Sequence, residues 1–151
     1  MYYRLLVIII FLCGELLFSQ KIVFEHSNEI VIGSIINITL EPIAKNKKRK
    51  VRMNIKKDGE ECNARISKEK FMVILDAIQM IKSDTISVLE NYIDTSSSSI
   101  VIYQTNQKEK SYYANGLNKA SQYNSNQKDF WYATKLIIRI AKLRMEDLIG
   151  Y

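Results

Sequence analysis

The sequence predicts an α+β domain: an antiparallel sheet built from hairpins, with two helices packed on one of its faces as a second layer. Three observations carry this reading. Alternating apolar and polar residues run outward on both sides of the turn dipeptide Asp58-Gly59. Two segments, near 68–82 and 128–148, repeat their apolar residues at helical spacing. A length of 151 residues fits one domain, and five Gly and one Pro leave little room for a proline-rich linker, so residues 20–151 read as one domain.

Residues 1–19 stand apart from that domain. Met1 to Arg4 give a short positive start, Leu5 to Leu12 form an apolar run, and Leu16-Leu17-Phe18-Ser19 leads into polar sequence. This is the layout of a secretory signal peptide with a small residue, Ser19, at the cut. The stretch is too short for a transmembrane helix, which needs about 20 apolar residues, and Glu15 interrupts it. Leu12 before Cys13 does not fit a lipid-attachment site. Cleavage would remove Cys13 and leave Cys62 alone, so no disulfide within the chain is expected. A bacterial periplasmic or secreted location follows as the expectation, with no transmembrane span after cleavage.

Glu29 to Ile43 reads as a hairpin. Ile30-Val31-Ile32 and Ile35 to Glu41 flank Gly33-Ser34, a turn with glycine first, and Pro42 ends the pairing. The next hairpin is the most sharply defined. Pairing outward from Asp58-Gly59 sets Ile55 opposite Cys62, Met53 opposite Ala64 and Val51 opposite Ile66, all on one face. Lys56–Glu61, Asn54–Asn63 and Arg52–Arg65 then share the other face. This register makes Cys62 a small inward residue rather than a reactive thiol.

Ser67 caps a helix over 68–82, with Glu69 in its first turn. Phe71, Ile74, Leu75, Ile78 and Ile81 form its apolar stripe, broadened by Met72 and Met80. Val88 to Ile93 is compatible with a strand or a short helix, and Ser96 to Ser99 reads as a polar break. Ile100 to Thr105 is a strand by its β-branched content, and Ser111 to Ala114 pairs back with it. Residues 115–127 read as a long loop. The last helix is expected from Lys128 to Leu148, capped by Ser125 or Asn126. Arg144 would fall on its apolar side and need to snorkel or find a carboxylate.

The chemistry-bearing residues are sparse. His26 is the one histidine, placed in a polar stretch that reads as a solvent-facing loop. No paired His or Cys residues suggest zinc, no Asp-rich run has calcium-loop spacing, and no glycine pattern cradles phosphate. No cofactor, metal or catalytic residue is therefore assigned. An enzyme would have to use a carboxylate site without a recognisable motif.

Charge is the most localised feature. Of the formal +6, eight positive residues and no acid lie within 45–57. Lys47, Lys48, Arg49, Lys50 and Arg52, with Arg65 opposite Arg52, form a candidate anion-binding patch. A like-charge cross-strand pair is unfavourable unless something negative sits over it. The bland alternative is a solvated strand edge. Aromatic residues that would stack single-stranded bases are not interleaved here, which points away from nucleic acid. A second candidate surface gathers Tyr112, Tyr113, Tyr123 and Trp131 with nearby amides, a composition suited to protein or sugar contacts. The function expected is binding: a small exported interaction protein whose partner is another protein or an anionic envelope component. Oligomeric state is not legible in the sequence.

Overall fold

Asp58 and Gly59 adopt φ of 52° and 88°, the paired left-handed conformation of a two-residue hairpin turn. The computed structural model of the protein describes residues 20–28, 34–43, 50–82, 85–87, 96–104 and 107–149. Around that turn, β3 (Val51–Lys57) and β4 (Glu60–Ile66) pair in the register the sequence predicts, including Ile55↔Cys62, Met53↔Ala64 and Val51↔Ile66. The other strands are β1 (Lys21–Ser27), β2 (Ile35–Pro42), β5 (Thr85–Ser87), β6 (Ser97–Gln104) and β7 (Gln107–Asn115). Two helices, α1 (Lys68–Gln79) and α2 (Lys128–Ile140), complete the second layer.

The sheet order is β4-β3-β2-β1-β6-β7-β5. Six strands are antiparallel, and the short β5 adds itself parallel to β7. The expected α+β two-layer architecture is what the chain adopts. Ile22 and Phe24 of β1, Ile36, Ile38 and Leu40 of β2, Val51, Met53 and Ile55 of β3, and Ile100 and Ile102 of β6 point to the helices. Phe71, Ile74, Leu75 and Ile78 of α1 meet Phe130, Ala133 and Ile137 of α2 over them. Alternation with period two on the strands and the helical stripe above thus close one core. Met80, expected to broaden the α1 stripe, is exposed instead.

Several expectations are corrected. The partner of β2 is β1, with Ser27 opposite Ile35, rather than a strand at 30–32; residues 29–33 lie outside the described residues. In β1 only Ile22 and Phe24 are apolar on the covered side, while Val23 lies on the other, so the alternation is muted. The strand β6 takes in Ser97 to Ser99, because serines between Glu25, His26 and Ser27 on one side and Tyr113, Ala114 and Asn115 on the other complete the ladder. Val88 to Ile93 and the signal-like residues 1–19 lie outside the described residues.

The last helix ends eight residues early. Lys142 has φ of 60°, its N–H bonds to the Arg139 carbonyl at 3.2 Å, and the Leu143 N–H bonds to the Ile138 carbonyl at 3.1 Å. These two bonds form a Schellman stop, with lysine where glycine usually sits. Gln127, not Ser125 or Asn126, occupies the N-cap position. Arg144 is exposed beyond the stop; Asp147 accepts its backbone N–H at 2.8 Å and so closes a 3-10 turn at Met145–Asp147. Leu148 returns to the core from that turn, not from the helix.

Candidate binding surface

With both helices on one face, no helix among the described residues covers the opposite face of the sheet. The register places its side chains in rows. One row reads Tyr113, Ser99, Glu25, Asn37, Lys56, Glu61, and the next reads Ser111, Val101, Val23, Thr39, Asn54, Asn63. Hydrogen bonds run along them. Asn37 donates to the Glu25 carboxylate at 2.9 Å, Asn54 donates to Glu61 at 2.5 Å and to Asn63 at 3.1 Å, and Lys56 pairs with Glu61 at 3.3 Å. The Asn54 amide, with Lys56 beside it, holds the exposed Glu61 carboxyl below its ordinary pKa.

At one end of this face the rows dip into a groove of about 390 Å³. Glu25, Asn37, Ser97, Ser99, Tyr113 and Asn115 are among the residues that line it, with the exposed Ile35. The Tyr113 ring is exposed; Ser111 and Lys108 hold its hydroxyl below the ordinary tyrosine pKa, and Lys108 also lies 5.8 Å from the ring centre. Hydroxyls and amides here offer both donors and acceptors, and the phenol adds a flat apolar surface.

Beneath the groove, on the covered side, His26 is buried, which corrects the loop expected for it. Its Nδ1 lies 2.9 Å from Ser98 Oγ, while Nε2 makes no well-formed hydrogen bond. Burial pushes the imidazole pKa down, and the Leu148 backbone offsets part of that.

The structure separates the residues of the two candidate surfaces. Tyr112 and Trp131 are buried in the core, whereas Tyr113 is exposed on the open face and Tyr123 stands almost wholly in solvent, at 84%. The four do not make one surface, because Tyr112 and Tyr113 are strand neighbours that point to opposite faces. In the basic patch, Lys47, Lys48 and Arg49 lie outside the described residues. Arg52 lies 4.0 Å from Glu41, Lys56 pairs with Glu61, and Lys57 pairs with Asp147 at 3.1 Å. Lys50 and Arg65 are exposed, and Arg65 faces Arg52 as expected.

Cys62 is also corrected. It keeps the predicted register opposite Ile55 but is exposed, because β4 is the edge strand and the helices do not reach over it. Among the described residues, no cluster of three or more His, Cys, Asp or Glu is arranged to hold a metal, and no helix is long and apolar enough to cross a membrane.

The groove residues Glu25, Asn37, Ser97, Ser99 and Asn115 were not expected as a site. Isolated serines and amides carry no signal until strand order brings 25, 37, 99 and 113 side by side. No protein-family model matches the chain, and no curated protein matches it.

Proposed function

We propose that the protein is a small exported binding domain that takes a neutral saccharide on the face of its sheet opposite the helices. The observation that carries this reading is the groove. Its hydroxyls and amides suit a ligand that both donates and accepts hydrogen bonds, and the Tyr113 ring suits the apolar face of a sugar. Asn37 donates to the Glu25 carboxylate and so orients it as an acceptor at the groove. Export rests on the layout of residues 1–19.

Titration of labelled protein with neutral glucose and N-acetylglucosamine oligosaccharides, followed by amide chemical shifts, tests the site. Shifts are expected at 25–27, 35–37, 97–99 and 113–115, and Tyr113→Ala should weaken binding about tenfold. Absence of saturable shifts at millimolar sugar would overturn the saccharide reading. Mass spectrometry of the exported protein tests its location: a chain beginning at Gln20 is expected, and one retaining Met1 would reject cleavage.

Anion binding through 45–57 is the second reading, supported by the charge run. It falls mainly to Lys47, Lys48, Arg49 and Lys50, because Arg52, Lys56 and Lys57 each have a carboxylate nearby. Replacing Lys47, Lys48 and Arg49 with Gln should abolish salt-sensitive binding of heparin if this reading holds.

A further inference from the structure

We propose that β4 is a self-complementary edge through which two copies of the chain join their sheets, antiparallel and centred on Asn63.

The two edges of the sheet differ. On one side, β5 is three residues long and parallel, a short edge that offers little to pair with. On the other, β4 is a seven-residue strand without a proline, and its first four residues and Arg65 are exposed. The hairpin geometry fixes what that edge offers. A two-residue turn makes Lys57 and Glu60 the hydrogen-bonded closing pair, and the pattern alternates from there. Glu60, Cys62, Ala64 and Ile66 therefore turn their backbone groups toward β3. Glu61, Asn63 and Arg65 turn theirs outward, with no strand paired to them among the described residues.

An antiparallel second copy must match outward residues with outward residues. Among the two-fold registers that do so, centring on Asn63 places Glu61 opposite Arg65 of the second copy, twice by symmetry. Centring on Cys62 or Ala64 loses both charge pairs. Moving a further residue either way sets Glu61 against Glu61 or Arg65 against Arg65, which is unfavourable. The favoured register also answers the Arg52–Arg65 juxtaposition. Among the described residues Arg65 has no ion-pair partner, while Arg52 has Glu41. A second copy brings Glu61 to Arg65, so that positive pair is flanked by a carboxylate on each side. At the centre, the Asn54–Asn63 hydrogen bond continues into Asn63 and Asn54 of the second copy.

Disulfide trapping tests the register. In Asn63→Cys carrying Cys62→Ser, the two thiols face each other across a hydrogen-bonded pair about 5.5 Å apart at Cα, within disulfide reach. Oxidation is expected to give a covalent dimer. Cys62 in the natural chain is a diagonal neighbour of its symmetry mate, roughly 7–8 Å away, and should cross-link much less. Sedimentation of the full-length protein should show a concentration-dependent dimer. Glu61→Lys or Arg65→Glu alone should weaken it roughly ten- to a hundredfold, because two attractions become two repulsions. Mixing the two variants should restore association as a heterodimer. The introduced lysine of one variant then faces the introduced glutamate of the other, and the unaltered Arg65 and Glu61 face each other at the symmetric position. Both substituted positions are exposed on an edge, so folding, checked by circular dichroism, is expected to persist. A protein monomeric at every concentration, no trapped dimer in N63C/C62S, or no recovery on mixing would each overturn the proposal.

Discussion

His26 Nδ1 and Ser98 Oγ meet at 2.9 Å between the two central strands, joining β1 to β6 inside the covered layer. Their strands are hydrogen-bonded neighbours although the residues are 72 positions apart in sequence. Burial of this imidazole makes the fold sensitive to acid.

Burial holds His26 below its ordinary value of 6.5, so the folded protein keeps the ring neutral while the unfolded chain takes up a proton near that value. As pH falls through about 6.5, protons bind preferentially to the unfolded chain and stability declines. The decline from this group stops once pH passes below the folded-state value. The carboxyls held low, Glu61, Glu69 and Asp147, contribute above their unfolded values and lose that contribution only in the more acidic range. Thermal melts between pH 8 and 5 should therefore show a falling Tm in the natural protein. The slope should flatten in His26→Gln, and an unchanged slope would remove His26 as its source.

Asp147 ties the end of the chain to β3. It accepts the Arg144 backbone N–H at 2.8 Å and pairs with Lys57 at 3.1 Å, and these contacts hold its carboxyl low, the backbone bond first. Asp147→Ala should cost about 1 kcal/mol, and Lys57→Met less, because the cap survives and the pair is partly exposed. Urea unfolding of both variants measures the order; an equal cost would shift the main role to the ion pair.

Lys142 occupies a backbone conformation that a side chain disfavours. Lys142→Gly should stabilise the fold by about 0.5–1 kcal/mol, since glycine adopts φ of 60° without steric penalty. A destabilised variant would show that the lysine side chain contributes something the stop itself does not need.

Core positions should separate sharply from the helix surface. Phe24→Ala and Phe130→Ala, at fully buried sites, should each cost roughly 3–5 kcal/mol. Met80→Gln, at an exposed site, should stay within about 0.5 kcal/mol. The same denaturation series reads both.

What the sequence made legible was local. The Asp58-Gly59 register and the Ser67 cap, which accepts the Lys70 N–H at 3.4 Å, depend on neighbours a few residues away. The stripe Phe71 to Ile81 is equally local. Long-range order was not legible. Strand β1 shows its worth only with β6 beside it, and Ser97–Ser99 become strand residues for the same reason. Burial at an edge is a property of where the helices lie, so Cys62 kept its partner and lost its cover. The stop at Lys142 carries no glycine signal. The open-face groove depends on strand order, and its short polar side chains leave no pattern in a one-dimensional reading.

The sheet order has a further consequence for how the molecule comes together. Strands β1 to β4 with α1 are one continuous stretch, β5 to β7 with α2 are another, and the strands of the two stretches meet along β1 and β6. Each stretch has half a sheet and one helix, with apolar surface that the other must cover. The seam joins Lys21 to Tyr103, so β1 must wait for a partner synthesised much later. The protein is two interlocking pieces on one thread, and folding is their mutual recognition.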